Sequence, residues 1–362
     1  MATQEPTPTA SAAVDTADPV ERGASRGLSG LQALLPGLAA VGLVTAAATF
    51  LGGLAPIVGA PVIAIITGIV ISVVRRPSPA MGPGIAFASK KILQASVVVL
   101  GFGLSLGQVL ASGARSLPVL IGTLAAALGM AWLAGKLLRL PKDLTTLVGV
   151  GTAICGASAI AATDAVINAD EADVSYSIAT IFTFNVVAVL LYPSIGHALG
   201  FSQRTFGTWA GTAINDLSSV VAASTIYGHA ATTTGVVVKL TRTLAILPIA
   251  LGLAFMRRSQ RSGSGTGPER QRFSLGSVVP MFILVFVAAV CANTIGLVPA
   301  GWHGGLSESA TWMITAALAA IGLSTDVGHI RRAGLRPIAL GAILWATVGL
   351  ASLGLQALTG TL

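Results

Sequence analysis

In VVVKLTRTLAILP, residues 236–248, Lys239 and Arg242 stand three apart in an otherwise apolar run. That spacing puts both on one helix face, with Thr241 and Thr243 beside them. Two cations on one buried face demand counter-charge, because ionisable groups within a membrane span are costly and by default functional. Two sources are open: a bound anion, or the carboxylates of Asp216 and Asp164, the other ionisable groups set in apolar segments. Hydroxyl and amide groups cluster in two stretches that share a tetrapeptide. GTAICGASAIAATD, 151–164, carries Thr152 and Ser158, and GTAINDLSSVVAAS, 211–224, carries Thr212, Asn215, Ser218 and Ser219. Asn185, in FTFNVVAVLLYP, lies between them. Such donors around fixed positive charge can hold a tetrahedral oxyanion without fully neutralising it, although small hydroxyls also serve as plain interhelical glue in lipid. Asp216 or Asp164 is then expected as gate or coupling-ion partner.

The inventory gives no catalytic set. His197, His229, His303 and His329 fall near the ends of apolar segments and form no HExxH or ligand spacing, so no metal and no cofactor is expected. Neither a GxSxG elbow nor a nucleotide-binding glycine loop is present, which argues against an enzyme and against nucleotide-driven transport. Cys155 and Cys291 have no pairing motif, and Cys155 is expected as a small packing residue.

The elements that must position these residues are membrane helices. The chain of 362 residues is 54% hydrophobic and 9% charged, where soluble domains are about a quarter charged, and its mean hydropathy is +0.84. High glycine, 43 residues, suits helices packed through small side chains in lipid. The net charge of +8 is concentrated in short clusters between apolar runs, a topology signal rather than a nucleic-acid face. Residues 1–30, rich in Ala, Thr, Pro and Ser, are expected as a disordered cytoplasmic tail.

Beyond that tail, residues 31–358 read as one transmembrane domain of about eleven apolar segments, near 31–52, 54–74, 92–110, 117–138, 144–167, 175–199, 205–228, 234–256, 275–296, 309–325 and 336–358. An amphipathic piece, PGIAFASKKILQ, precedes the third. Basic clusters at Arg75 and Arg76, at Lys136, Arg139 and Lys142, at Arg257 to Arg272, and at Arg331, Arg332 and Arg336 belong inside by the positive-inside rule. The N-terminus is then cytoplasmic and the C-terminus outside.

Two internal repeats refine this. Gly103-Leu104-Ser105 recurs as Gly322-Leu323-Ser324, Pro118 with Gly122 recurs as Pro337 with Gly341, and Pro61 matches Pro280, all at one offset of 219 residues. Segments two to four therefore pair with segments nine to eleven and cross in opposite directions, the inverted repeat of secondary transporters. The GTAI pair lies in the core, 144–256. Two full crossings would run the same way, whereas two segments that dip in and return, with the 175–199 span between them, enter from opposite faces and keep the inversion. Gly149, Gly151 and Gly156 supply backbone freedom for a break in the first. The expected fold is an all-α polytopic membrane protein, an inverted-repeat transporter with discontinuous or re-entrant helices.

The ordered motifs GTAICGASAIAATDAVINADE, SIATIFTFNVVAVLLYPSIG, GTWAGTAINDLSSVVAAS, VVVKLTRTLAILP and AAIGLSTDVGHIRRAGLRPIALG resemble the YeiH family of bacterial membrane proteins, the UPF0324 group, described as sulfate exporters. The resemblance covers roughly residues 31–358. It implies a multi-pass protein of the bacterial inner membrane, grouped with carriers that have inverted repeats and interrupted helices. Many members carry His where this chain has Asn215, so no proton-coupling role passes to that position. The function expected is export of a small inorganic anion, sulfate or a related sulfur oxyanion, with the lipid bilayer as the other partner, a homo-oligomer as a possible assembly and no nucleic acid. A Na⁺- or H⁺-coupled carrier using Asp216 and Asp164, or a non-transporting accessory protein, is the alternative.

Overall fold

The computed structural model describes residues 19–54, 59–243, 281–325 and 335–362, and every regular element among them is helical. The chain opens with α1 (Pro19–Leu54) and α2 (Ala60–Val74). Next comes a rod from Pro79 to Gly101, in which α3 (Gly82–Phe87) and α4 (Leu93–Gly101) are joined by a π-helical turn. The centre of the chain comprises α5 (Leu106–Leu137), α6 (Lys142–Ala153), α7 (Ala157–Ile167), α8 (Glu171–Ala198), α9 (Gln203–Ala213), α10 (Leu217–Tyr227) and α11 (His229–Thr243). The last three helices are α12 (Met281–Thr294), α13 (His303–Ser324) and α14 (Leu335–Leu358). Six helices among the described residues are long and apolar enough to cross a membrane, and α2, α7, α10 and α12 are shorter apolar helices. This is a polytopic membrane protein.

Two expected boundaries move. Helix α1 is already formed at Pro19, the first described residue, so residues 19–30 are helical rather than disordered. Residues 1–18 lie outside the described residues. The third span runs from Pro79 to Gly101 rather than 92–110, and the piece PGIAFASKKILQ is part of it. The exposed Lys90 and Lys91 sit in the π turn, where long stems let the charged ends leave the apolar body of the helix. Gly103 and Ser105 then end it, because Ser105 and Gln108 form a reciprocal capping box that starts α5 at Leu106. The end of the eighth segment, the start of the ninth with Pro280, and the basic cluster Arg257 to Arg272 lie outside the described residues, as do Arg331 and Arg332.

Packing follows small residues. Helix α2 lies along α13 and α12 along α4, contacts that exchange when one expected triplet is substituted for the other, while α5 packs on α14. At the first contact a Cβ on Gly68 would stand 2.9 Å from the Gly322 Cα, and one on Gly322 would stand 2.5 Å from the Ile65 carbonyl oxygen. Only glycine on both sides allows the two backbones so close.

Helices α6 and α7 form a hairpin. Asp173, at the start of α8, lies against the Leu144 backbone N–H at the start of α6, so α7 returns to the side on which α6 began. Helices α9 and α10 do the same. Phe206, in the first turn of α9, stacks on Tyr227, in the last turn of α10, at 3.9 Å between ring centroids. The Tyr227 hydroxyl donates to the Phe201 carbonyl at 2.5 Å, and the Ala230 N–H donates to Gln203 Oε1 at 2.9 Å. Arms of 12 and 11 residues reach about 17 Å at 1.5 Å per residue, roughly half a hydrocarbon core of about 30 Å. Because α8 separates the hairpins, with one beginning beside its start and the other after its end, they enter from opposite ends of α8.

Candidate functional site

The two hairpin tips meet on α11. Helix α6 ends in Gly151-Thr-Ala-Ile154 and α9 ends in Gly211-Thr-Ala-Ile214, so both GTAI copies are helix C-termini. A helix end leaves its last carbonyls without intrahelical partners and carries about half a negative charge. Lys239, 0% exposed, donates through Nζ to the Ile154 and Ile214 carbonyls, each at 2.8 Å. Arg242, 2% exposed, donates through Nε to the Ala153 carbonyl at 2.6 Å, through one terminal nitrogen to the Thr152 carbonyl at 2.6 Å and through the other to the Thr212 carbonyl. Equivalent residues of the two copies thus share one cation: the isoleucines share the ammonium, and the threonines share the guanidinium.

The beginnings of the return arms lie at the same joint. Gly156 precedes α7 with φ 69° and ψ −130°, a conformation essentially reserved for glycine. A Cβ there would stand 3.5 Å from the Asp216 Cβ. Asp216 caps α10: its Oδ2 accepts the Ser218 hydroxyl and, at 3.3 Å, the Ser219 N–H. Helix α7 has no side-chain cap from Gly156, and Ser158, in its first turn, is exposed. Cys155, expected as a packing residue, does pack on the apolar core, and it also sits between these charges with its thiol on the Ala159 N–H.

Of the expected site residues, Lys239, Arg242, Asn215, Asp216, Ser218 and Ser219 are brought together, with Thr152 and Thr212 contributing backbone carbonyls. The Thr212 hydroxyl is held by the Thr208 carbonyl at 2.7 Å and Ser352 Oγ at 2.6 Å. Asn185 Oδ1 accepts the Asn215 N–H at 3.3 Å, which fixes the second tip to the middle of α8. Asp164 is not at the joint. It lies in the last turn of α7, near the mouth of the hairpin, where its Oδ1 accepts the Ala169 N–H at 3.0 Å. The permanent pairing of both aspartates with the cations is therefore replaced by carbonyl pairing, because helix ends already supply the negative charge. Sequence reading missed these carbonyls, although the repeated GTAI was their signal. It also missed the fully buried Ser352 and Gln356 of α14, which continue the Thr212 contact and are visible as polar residues in an apolar span.

Chemically, the joint holds two cations and one carboxylate, with two half-helix N-termini opening beside it. Half-helix N-termini favour anions, and half-helix C-termini favour cations.

A family model described as conserved hypothetical protein 698 matches residues 36–341. A UPF0324 membrane protein of Streptococcus pyogenes serotype M6 is 45% identical over 329 residues, covering 89% of this chain and 96% of the relative. The chain belongs to the UPF0324 family of membrane proteins. Similar UPF0324 proteins occur in Streptococcus mutans serotype c, 42% identical over 90% of this chain and 97% of the relative, and in Streptococcus pneumoniae serotype 4, 41% identical over the same shares. Both hairpins and α11 fall inside the residues that the UPF0324 family model covers.

Proposed function

We propose that this UPF0324 protein is a secondary carrier, not an enzyme, that moves a small oxyanion out across the cytoplasmic membrane, with sulfate or a related sulfur oxyanion as its substrate. The observation that carries the reading is the joint itself, where two hairpins entering from opposite ends of α8 meet half-way along a span. Irregular backbone at that depth is tolerated only where protein or a water-filled cavity surrounds it. The anion is assigned to the start of α7, which Gly156 leaves without a side-chain cap, with Ser158 as hydroxyl donor and Lys239 and Arg242 as the positive potential behind. An inside-negative potential favours anion efflux by about 2.3 kcal/mol per charge per 100 mV.

A second reading concerns coupling. Among the described residues, Asn215 Oδ1 and Asp216 Oδ1 are buried without a hydrogen-bond partner, and buried acceptors in that state call for a further donor. On this reading Asp216 serves as gate or coupling partner for the anion. The test is efflux of radiolabelled sulfate from liposomes containing purified protein. Flux above protein-free liposomes that falls at least tenfold in Ser158→Ala is expected. Absence of anion movement in the wild type would remove the carrier reading.

A further inference from the structure

The joint is built like a cation site. Five backbone carbonyls, from Thr152, Ala153, Ile154, Thr212 and Ile214, converge from the C-terminal ends of two half-helices. Carbonyl oxygens freed from helical pairing at mid-membrane are the usual ligands of a coupling cation, and half-helix C-termini add negative potential to them. Here the groups that meet them are two side chains of α11. The ammonium of Lys239 is wholly buried between the two isoleucine carbonyls, one from each tip, at equal distances.

An ammonium group is compact, singly charged and close in size to a potassium ion, and it is joined to the chain by a flexible stem. Lys239 begins ten residues after the start of α11 at His229, about 15 Å along the helix axis, which delivers its charge to the depth of both tips. The guanidinium of Arg242 takes the remaining three carbonyls. Each of the five carbonyls at the joint therefore already faces a cationic group of α11.

We infer that Lys239 is the resident cation of this site, standing where a mobile monovalent cation would otherwise bind, so that the protein joins its hairpins and works without a sodium or potassium coupling ion. The inference rests on the reading of the joint as a carrier's centre, and it names the coupling chemistry that centre lacks.

The test reads stability rather than transport. Purified wild type and Lys239→Ala in lipid nanodiscs are melted in chloride salts of sodium, potassium, ammonium, methylammonium and N-methyl-D-glucamine at equal ionic strength. The wild type is expected to melt at one temperature in all five. Lys239→Ala is expected to gain saturable stabilisation from at least one of the small cations relative to N-methyl-D-glucamine. Should the variant fail to fold in N-methyl-D-glucamine, the yield of monodisperse protein purified in methylammonium chloride becomes the readout, with recovery expected. Saturable stabilisation of the wild type by sodium or potassium overturns the inference, as does a variant that no small cation stabilises or recovers. Sulfate flux in the wild type, compared between sodium and N-methyl-D-glucamine, separates the two proposals. Equal flux supports both, a tenfold dependence on sodium overturns this one, and no flux with the expected melting pattern overturns only the carrier reading.

Discussion

Ile154 and Ile214, the fourth residues of the two GTAI copies, direct their backbone carbonyls at one ammonium group, each 2.8 Å from Lys239 Nζ. The two tips present like partial charges to each other, because each is the negative end of a half-helix. A cation between them turns that repulsion into a joint, and the chemistry of the repeated tetrapeptide resides in its backbone rather than in its side chains. Lys239 and Arg242 are therefore structural fasteners first, and their field on a substrate is a consequence of that placement.

The two fasteners differ in how many carbonyls each satisfies. Removing Arg242 strands three buried acceptors and removing Lys239 strands two, at roughly 1–3 kcal/mol for each acceptor left unpaired. Arg242→Ala is expected to melt below Lys239→Ala in thermal unfolding of nanodisc samples lacking small cations. Arg242→Lys is not expected to restore stability, since one ammonium cannot reproduce a planar fork aimed at three carbonyls.

Asp216 has a capping role separable from its charge. Asparagine caps helices about as well as aspartate, whereas alanine costs about 0.5–2 kcal/mol. Asp216→Asn should therefore melt close to wild type while Asp216→Ala melts measurably lower. If Asp216 also takes part in coupling, Asp216→Asn lowers sulfate flux while its melting temperature stays close to wild type. Unchanged flux assigns it to capping alone.

Much of this was legible in the sequence. Each of the eleven apolar segments overlaps a helix or hairpin among the described residues, although the third lies at 79–101 rather than 92–110, and keeping the GTAI pair inverted across the 175–199 span favoured re-entry. Lys239 and Arg242 were found because charge is conspicuous in an apolar run. Their partners were not, because a carbonyl has no letter in a sequence, and the search for counter-charge fell on the visible acids. Asp164 was drawn in for that reason, though its place on α7 is set by the length of the hairpin arm. The early start of α5 at Leu106 was hidden by Pro118, which the helix carries inside.

Gly156 is required by its backbone and its surroundings together. At φ 69° and ψ −130° any side chain is strained by about 1–3 kcal/mol, and a Cβ would also stand 3.3 Å from Ile181. Gly156→Ala is expected to lower the melting temperature and to weaken the uncapped start of α7. Gly354→Ala, in α14 with nothing within 4 Å of the added carbon, is the control. It is expected to be neutral or to stabilise by up to about 1 kcal/mol, since alanine loses less conformational freedom in a helix than glycine.

Re-entry makes a prediction that a continuous crossing cannot share. If 142–167 crossed the membrane once, Lys142 and Asp170 would face opposite compartments; a hairpin puts both at one face, as the contact between Asp173 and Leu144 requires. The second hairpin likewise puts Arg204 and His229 together at the other face, where Gln203 holds the Ala230 N–H. In a background with Cys155→Ala and Cys291→Ala, single Lys142→Cys and Asp170→Cys variants should react with a membrane-impermeant maleimide only in inside-out vesicles. Arg204→Cys and His229→Cys should react only in right-side-out spheroplasts. All four positions are half-buried or exposed in the fold, so reactivity reports sidedness rather than burial. Labelling of Lys142→Cys and Asp170→Cys from opposite faces would remove the first hairpin, and with it the meeting of the two tips on Lys239.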